Sequence, residues 1–241
     1  MTATTTVPST QHEPALQGQT VVVIGGSAGI GLESARQART EGAKVILTGR
    51  NAERLERAAR DIGAHSSAAF DAADPDRLAR FFGDLPTPID HVMVTAGGPY
   101  YARLAEIDFA EARREVDAHF WLMLHLAREA IGRVRPGGTL LFMSGTHARR
   151  PELGLAVVSA LTAALPALTA SLALELAPVR VNLIAAGFVD TPLSASLLGD
   201  RLDERRDELR ATLPIGRVVG PADVAAPVSY THLTLPTTPY V

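Results

Sequence analysis

The 241-residue chain contains no cysteine. That excludes disulfides and thiolate metal sites, and it fits a cytoplasmic setting; no metal centre is expected. Any block of like charge is also missing. The 23 Lys and Arg stand against 26 Asp and Glu, a formal net charge of −3, with no basic stripe suited to nucleic acid or to an anionic membrane surface. The opening MTATTTVPSTQHEPALQG has neither the cationic start nor the apolar centre of a secretory signal. Residues 1–17 are expected to form a polar, poorly ordered lead-in. One stretch, 153–174, is free of charge and long enough to cross a bilayer. Ala, Ser and Thr dominate it, however, and Pro166 interrupts it. A helix apolar all round is more simply packed between a sheet and a partner helix, so no membrane span is expected.

Short apolar runs alternate with longer helical stretches. TVVVIGG (20–26), AKVILTG (43–49), SSAAFDA (67–73), IDHVMVTAGG (89–98), GTLLFMSG (138–145) and VRVNLIAAG (179–187) read as strands. Continuous Val/Ile/Leu runs suit parallel strands covered on both faces. Amphipathic stretches near 30–41, 51–62, 74–83, 108–134 and 151–177 lie between them, and GPADVAAP (220–227) starts like a further helix. Repeated β-α-β units imply right-handed crossovers and a single doubly wound α/β domain over 18–227. A ligand would sit at the C-terminal ends of the strands.

VVVIGGSAGIGLESA (21–35) places a glycine-rich turn between a strand and a helix. Gly25, Gly29 and Gly31, with Ser27 and Ile30 between them, let the backbone approach a pyrophosphate closely. Amides at the helix start then face the phosphates along a favourable dipole. At the end of the next strand, where an acid would hold the ribose diol of NAD, the chain reads TGRN with Arg50. A guanidinium fits a 2′-phosphate and favours NADP(H); the plainer alternative for Arg50 is a solvated surface cation.

With these residues in place, the chain resembles the short-chain dehydrogenase/reductase family. GGSAGIG looks like that family's TGxxxGxG turn, with Ile24 for its usual threonine. FDAAD supplies Asp71 where family members contact adenine. TAGG resembles the family's NAG turn, with Thr95 for asparagine and Ala96 and Gly97 retained. AAGFVDTPL resembles its PG-containing segment, with Ala186 for proline and with Val189 and Thr191 at the nicotinamide end. The resemblance spans about 18–226 and implies a Rossmann-like fold, a nicotinamide cofactor, which Arg50 favours as NADP, and hydride transfer to or from a small carbonyl or alcohol.

The family's chemistry uses a tyrosine as acid–base, a lysine that lowers its pKa, a serine that orients substrate and an asparagine that supports a water relay. A phenol needs such a cation to work near neutrality. Aligned on VSALTAALPAL, the tyrosine position is Val158 and the lysine position Thr162. The serine position falls at Gly145 and the asparagine position at His119. No Tyr or Lys lies between Ala102 and Val179, so a one-residue slip restores nothing.

Substitute proton donors are therefore sought among His147, His119 and Tyr100. His147 follows the serine position by two residues and titrates near neutrality, or is an exposed loop histidine. His119 serves as a relay, or bonds a neighbouring backbone group. Tyr100 and Tyr101 follow TAGG near the substrate side, or are pocket wall. Two functions remain open: an NADP(H)-dependent oxidoreductase with a non-standard proton donor, and a non-catalytic NADP(H)-binding sensor or partner subunit. Beyond 227 the chain reads VSYTHLTLPTTPYV. This looks like a non-native tail (228–241) in place of the family's last strand, and a homo-oligomer is expected if that end were intact.

Overall fold

The computed structural model describes residues 15–228 of the chain. Six parallel strands form one sheet in the order β3-β2-β1-β4-β5-β6. They are β1 (Thr20–Ile24), β2 (Lys44–Gly49), β3 (Ser66–Ala69), β4 (Ile89–Val94), β5 (Val134–Gly145) and β6 (Arg180–Ala186). Helices α1 (Gly29–Thr40), α2 (Ala52–Ile62), α3 (Pro75–Asp84), α4 (Phe109–Val116), α5 (Leu122–Ala130) and α6 (Ala156–Glu175) provide the crossovers. The chain order reverses direction across the sheet between β1 and β4, so a crevice opens at their C-terminal ends.

Alternation along β1 assigns the two faces. Val22 and Ile24 point into a core with Leu78 and Phe82 of α3, Leu122 and Leu126 of α5, and Leu165 and Leu172 of α6. Val21 and Val23 point the other way, onto Ala35 and Ala38 of α1 and Leu55 and Ala58 of α2. Both faces are thus covered, which is why the strands read as unbroken aliphatic runs.

Several boundaries differ from the sequence expectation. The folded domain begins before Gly18: Leu16 is fully buried in the second core, and its amide donates to Glu41 O at 3.0 Å. Residues 1–14 of the expected lead-in lie outside the described residues, as does all but Val228 of the expected tail. Val228 itself is buried beside α1 and α2. Within the described residues β6 is an edge strand. The helix expected over 108–134 divides into α4, a π-helical turn at Asp117–Trp121, and α5. It ends at Ala130 because Gly132, at φ +72°, turns the chain into β5. β5 starts four residues early: Val134 pairs with Ile89, and the register then shifts before Thr139 meets His91.

Two helices carry no strong sequence signal, α7 (Pro192–Leu198) and α8 (Leu202–Thr212); α9 (Pro221–Pro227) packs on α1. Among the described residues α6 alone is long and apolar enough to cross a membrane by composition. Here it lies on β5 and β6, with Val158, Leu161, Leu165 and Leu172 buried and Pro166 on its outer face.

Candidate active site

The turn after β1 is held from three sides. Gly25 and Gly26 amides both donate to Thr48 O of β2, at 3.2 and 2.9 Å. Thr95 Oγ1 donates to Gly25 O at 3.0 Å, and the Thr95 and Ala96 amides donate to Ile24 O. No side chain fits inside this turn. A Cβ on Gly25, which has φ +95°, would stand 2.6 Å from the Ala96 amide nitrogen. One on Gly31 would meet Thr95 Oγ1 at 2.3 Å and Gly25 O at 2.6 Å.

Helix α1 starts without the side-chain cap found on α2, α3 and α4. Asn51 caps α2, Asp74 caps α3 and Asp108 caps α4, each through side-chain oxygen to backbone amide. Ala28 caps α1 with no side chain, and its first turn carries no acid. The amides and positive dipole end at Gly29, Ile30 and Gly31 are therefore left for an anion. Thr191 comes across from the loop after β6, with its methyl 3.4 Å from the Cβ position of Gly29. Thr191 in turn caps α7, accepting from Ser194 N at 3.2 Å, and Val189 beside it is buried. Asp190 takes both arms of Arg206 at 2.8 and 2.9 Å, which fastens α8 under this segment.

Arg50 is exposed at the end of β2. A second cation joins it: Arg54, on the first turn of α2, donates from Nε to Ser27 Oγ at 3.3 Å. Asp71 lies just beyond β3, where its carboxylate accepts the Ala73 amide at 3.1 Å.

The remaining candidates separate clearly. Tyr100 is committed to the fold, since its hydroxyl accepts the Asp108 amide at 2.7 Å. His119 sits in the π turn, a geometry often found at functional sites. Its Nδ1–H donates to Glu115 O at 3.2 Å, and the other edge of the ring faces Gly97, whose Cβ position would be 3.0 Å from Nε2. Burial holds the His119 pKa below its ordinary value. Glu115, only 5% exposed, lies one turn earlier. Desolvation pushes its carboxyl up to about 7, against a hydrogen bond from the Tyr100 amide.

His147 lies in a short 3-10 turn after β5 (His147–Arg149). Its ring covers Gly145, with Nδ1 2.7 Å from the position a Cβ would take there, and Nδ1 is buried without a partner. Burial lowers its pKa, partly opposed by Glu152. Nε2 lies 3.3 Å from Tyr101 Oη. Helix α6 fastens the turn: the Ala148 amide donates to Thr162 Oγ1 at 3.0 Å, and Ser159 Oγ donates to His147 O at 3.3 Å.

A family model described as enoyl-(acyl carrier protein) reductase matches residues 25–232. The short-chain dehydrogenase/reductase ATR9 of Stachybotrys chlorohalonatus is 31% identical over 240 residues, covering 90% of this chain and 91% of that protein. The chain is a short-chain dehydrogenase/reductase. Galactitol 2-dehydrogenase (L-tagatose-forming) of Cereibacter sphaeroides is 32% identical over 246 residues, covering 94% and 91% of the two chains. An actinorhodin polyketide ketoreductase solved with NADPH superposes with a TM-score of 0.82 at 26% identity, covering 91% of each chain.

Members of this family are oxidoreductases that use nicotinamide cofactors, and the residues here fit one. The glycine turn has no room for side chains, and the first turn of α1 has no anion of its own. Arg54, Glu115 and the Thr162–Ala148 clasp were missed by sequence reasoning as parts of the site, and Tyr101 was placed near the substrate side without a role. Arg54 alone left a usable signal, a second cation one helical turn after Arg50. The others, on α4 and α6, meet the site only through tertiary packing.

Proposed function

We propose that this chain is an NADP(H)-dependent oxidoreductase acting on a small carbonyl or alcohol, with His147 as its proton-transfer group. The observation that carries this reading is the His147 ring lying over Gly145 with a buried, unpartnered Nδ1. Gly145, Val158, Thr162 and His119 occupy the positions where the family has its serine, tyrosine, lysine and asparagine. A side chain at 145 would collide with the imidazole, so the missing serine and the inward histidine belong to one arrangement. A substrate oxygen entering beside Gly145 as the ring shifts would satisfy Nδ1, which has no open face as it stands.

When bound, the cofactor supplies or accepts a hydride at the substrate carbon. Gly25, Gly29, Ile30 and Gly31 hold its pyrophosphate, Arg50 with Ser27 and Arg54 its 2′-phosphate, and Asp71 the adenine. Ala96, Gly97, Val189 and Thr191 line its nicotinamide half. The NADP preference rests on the two guanidiniums and on the NADPH-bound structural relative.

The test is a thermal-shift measurement with NADPH, followed by nicotinamide absorbance over a panel of carbonyl compounds. Turnover that is lost in His147→Ala while NADPH binding persists supports the reading. Tight NADPH binding with no turnover on any substrate would instead favour a non-catalytic sensor or partner subunit. One observation favours that second reading: Val158 and Thr162 are only 5% and 8% exposed, with Thr162 used structurally. In either case the exposed Trp121 and Ile131, which flank α5, and Leu174 of α6 suit pairing with a second copy, which Leu174→Glu would disrupt in sedimentation.

A further inference from the structure

We propose that Tyr101 and His147 act as one proton-transfer unit, in which the Tyr101 hydroxyl supplies Nε2 while Nδ1 serves the substrate oxygen. The inference rests on the reading of His147 as the proton-transfer group. It gives that group a source of protons.

Three geometric facts carry it. Tyr101 Oη and His147 Nε2 are 3.3 Å apart, with ring centroids 5.8 Å apart and planes inclined by 56°. The opposite ring nitrogen, Nδ1, is buried without a partner and lies over Gly145. Tyr101 itself is 43% exposed, so the phenol connects an inward-facing imidazole with bulk water.

The chemistry makes the phenol necessary. Burial keeps the His147 ring neutral at pH 7, since its pKa lies below the ordinary value near neutrality. A neutral imidazole that lost its Nδ1 proton alone would become an imidazolate, a strong base that is not formed near neutrality. The ring can act as an acid only if Nε2 gains a proton in the same event. Tyr101 is the group within reach of Nε2. It does not serve as a free acid, because burial and the nearby Glu115 and Glu152 carboxyls raise its pKa. Glu152 also faces His147. A phenol in this setting passes protons without remaining ionised.

The step balances. In reduction the carbonyl carbon receives the hydride, and the C=O π pair moves to oxygen. That oxygen takes the Nδ1 proton, Nε2 takes the Tyr101 proton, and Tyr101 recovers one from water. One hydride and one proton have been added to the substrate. Both side chains end neutral, with His147 as its Nε2–H tautomer. The ring returns to the Nδ1–H form once the alcohol leaves. Oxidation runs the same path backwards.

Two measurements on the full chain test the pair. The first is a pH titration by NMR with ¹⁵N-labelled histidine, which needs no turnover. Wild type is expected to hold His147 with its proton on Nδ1 at pH 7, and Tyr101→Phe to lose that preference. An identical tautomer and titration midpoint in both proteins would overturn the pair. The second is the pH dependence of carbonyl reduction from pH 5.5 to 9. Wild type is expected to stay flat through neutrality. Tyr101→Phe, left with only the imidazolium as donor, should fall about tenfold per pH unit above the His147 midpoint, with NADPH affinity unchanged. Gly145→Ser, which pushes the ring aside, should match His147→Ala at every pH. Loss of turnover in His147→Ala with a flat profile in Tyr101→Phe would overturn the pair and leave the function standing. If no substrate turns over, the function fails and the NMR result alone decides the pair.

Discussion

His91 gives the fold a pH dependence whose size follows from its surroundings. The residue lies in β4, 1% exposed, with Asp90, Arg135 and Arg180 as its charged neighbours. Its Nε2–H donates to Gln19 Oε1 at 2.8 Å, which leaves Nδ1 as a bare lone pair buried without a partner. Burial strips water from a protonated ring, and Arg180 and Arg135 add repulsion against the opposing pull of Asp90, so the pKa falls from 6.5 to about 4. Between those values the unfolded chain holds a proton that the folded chain refuses, and stability rises with pH. At about 1.4 kcal/mol per pH unit the interval corresponds to roughly 3 kcal/mol, fully present above pH 6.5 and gone by about pH 4. Glu115 works in the opposite sense. Its folded value of about 7 means that stability present below pH 4.5 is lost as pH rises towards 7. Urea unfolding followed by circular dichroism at half-unit steps from pH 4 to 7.5 separates the two. The stability difference between wild type and His91→Gln should grow by about 3 kcal/mol across that range, and Glu115→Gln should steepen the wild-type curve. A wild-type-minus-His91→Gln difference that stays constant with pH would refute the burial argument.

Three further outcomes follow from the site. Gly31→Ala sets a methyl 2.3 Å from Thr95 Oγ1 and 2.6 Å from Gly25 O. Overpacking of about 1–3 kcal/mol should weaken NADPH binding roughly 5- to 150-fold in a fluorescence titration, and an unchanged affinity would remove this turn from the cofactor site. Arg50→Ala should cost about 1.5–3 kcal/mol of NADPH affinity, roughly 10–100-fold, with little change for NADH; equal losses for the two would refute the 2′-phosphate role. Thr162→Val deprives the Ala148 amide of its acceptor. A loss of about 1–3 kcal/mol should lower Tm by several degrees, whereas Thr162→Ser should restore it; equal melting of both variants would show the clasp to be idle.

The architecture was legible because its period is. Aliphatic runs such as Val21–Val23 mark strands covered on both faces, and the glycine turn follows β1 directly in sequence. The residues proposed to hold the cofactor lie at strand ends, so the sequence alone could group them. Other features depend on parts of the chain meeting at a distance. Leu16 looks like part of a polar lead-in until Gly42 and Glu41 are folded against it. The helix over 108–134 has an unbroken apolar stripe, and nothing in that stripe announces the π turn at His119. Gly145 reads as a deleted serine in the sequence. Only the His147 ring over it shows why a side chain is excluded. Tyr101 and His147 are 46 residues apart, joined by two loops whose paths no periodicity encodes. The same blindness made Tyr100 the candidate, although its hydroxyl is tied to the start of α4.

Helix α1 begins without the side-chain oxygen that completes α2, α3 and α4. On the proposed function the nucleotide phosphates would supply the acceptors missing from its first turn, so loading the cofactor would stabilise the folded β1–α1 unit. At a free ligand concentration a hundred times Kd, such coupling adds about 2.7 kcal/mol to the folded state. A chain starved of nucleotide is correspondingly more open to proteases. The amount of this protein that a cell keeps should therefore follow the size of its nicotinamide pool, independently of how fast any substrate is turned over.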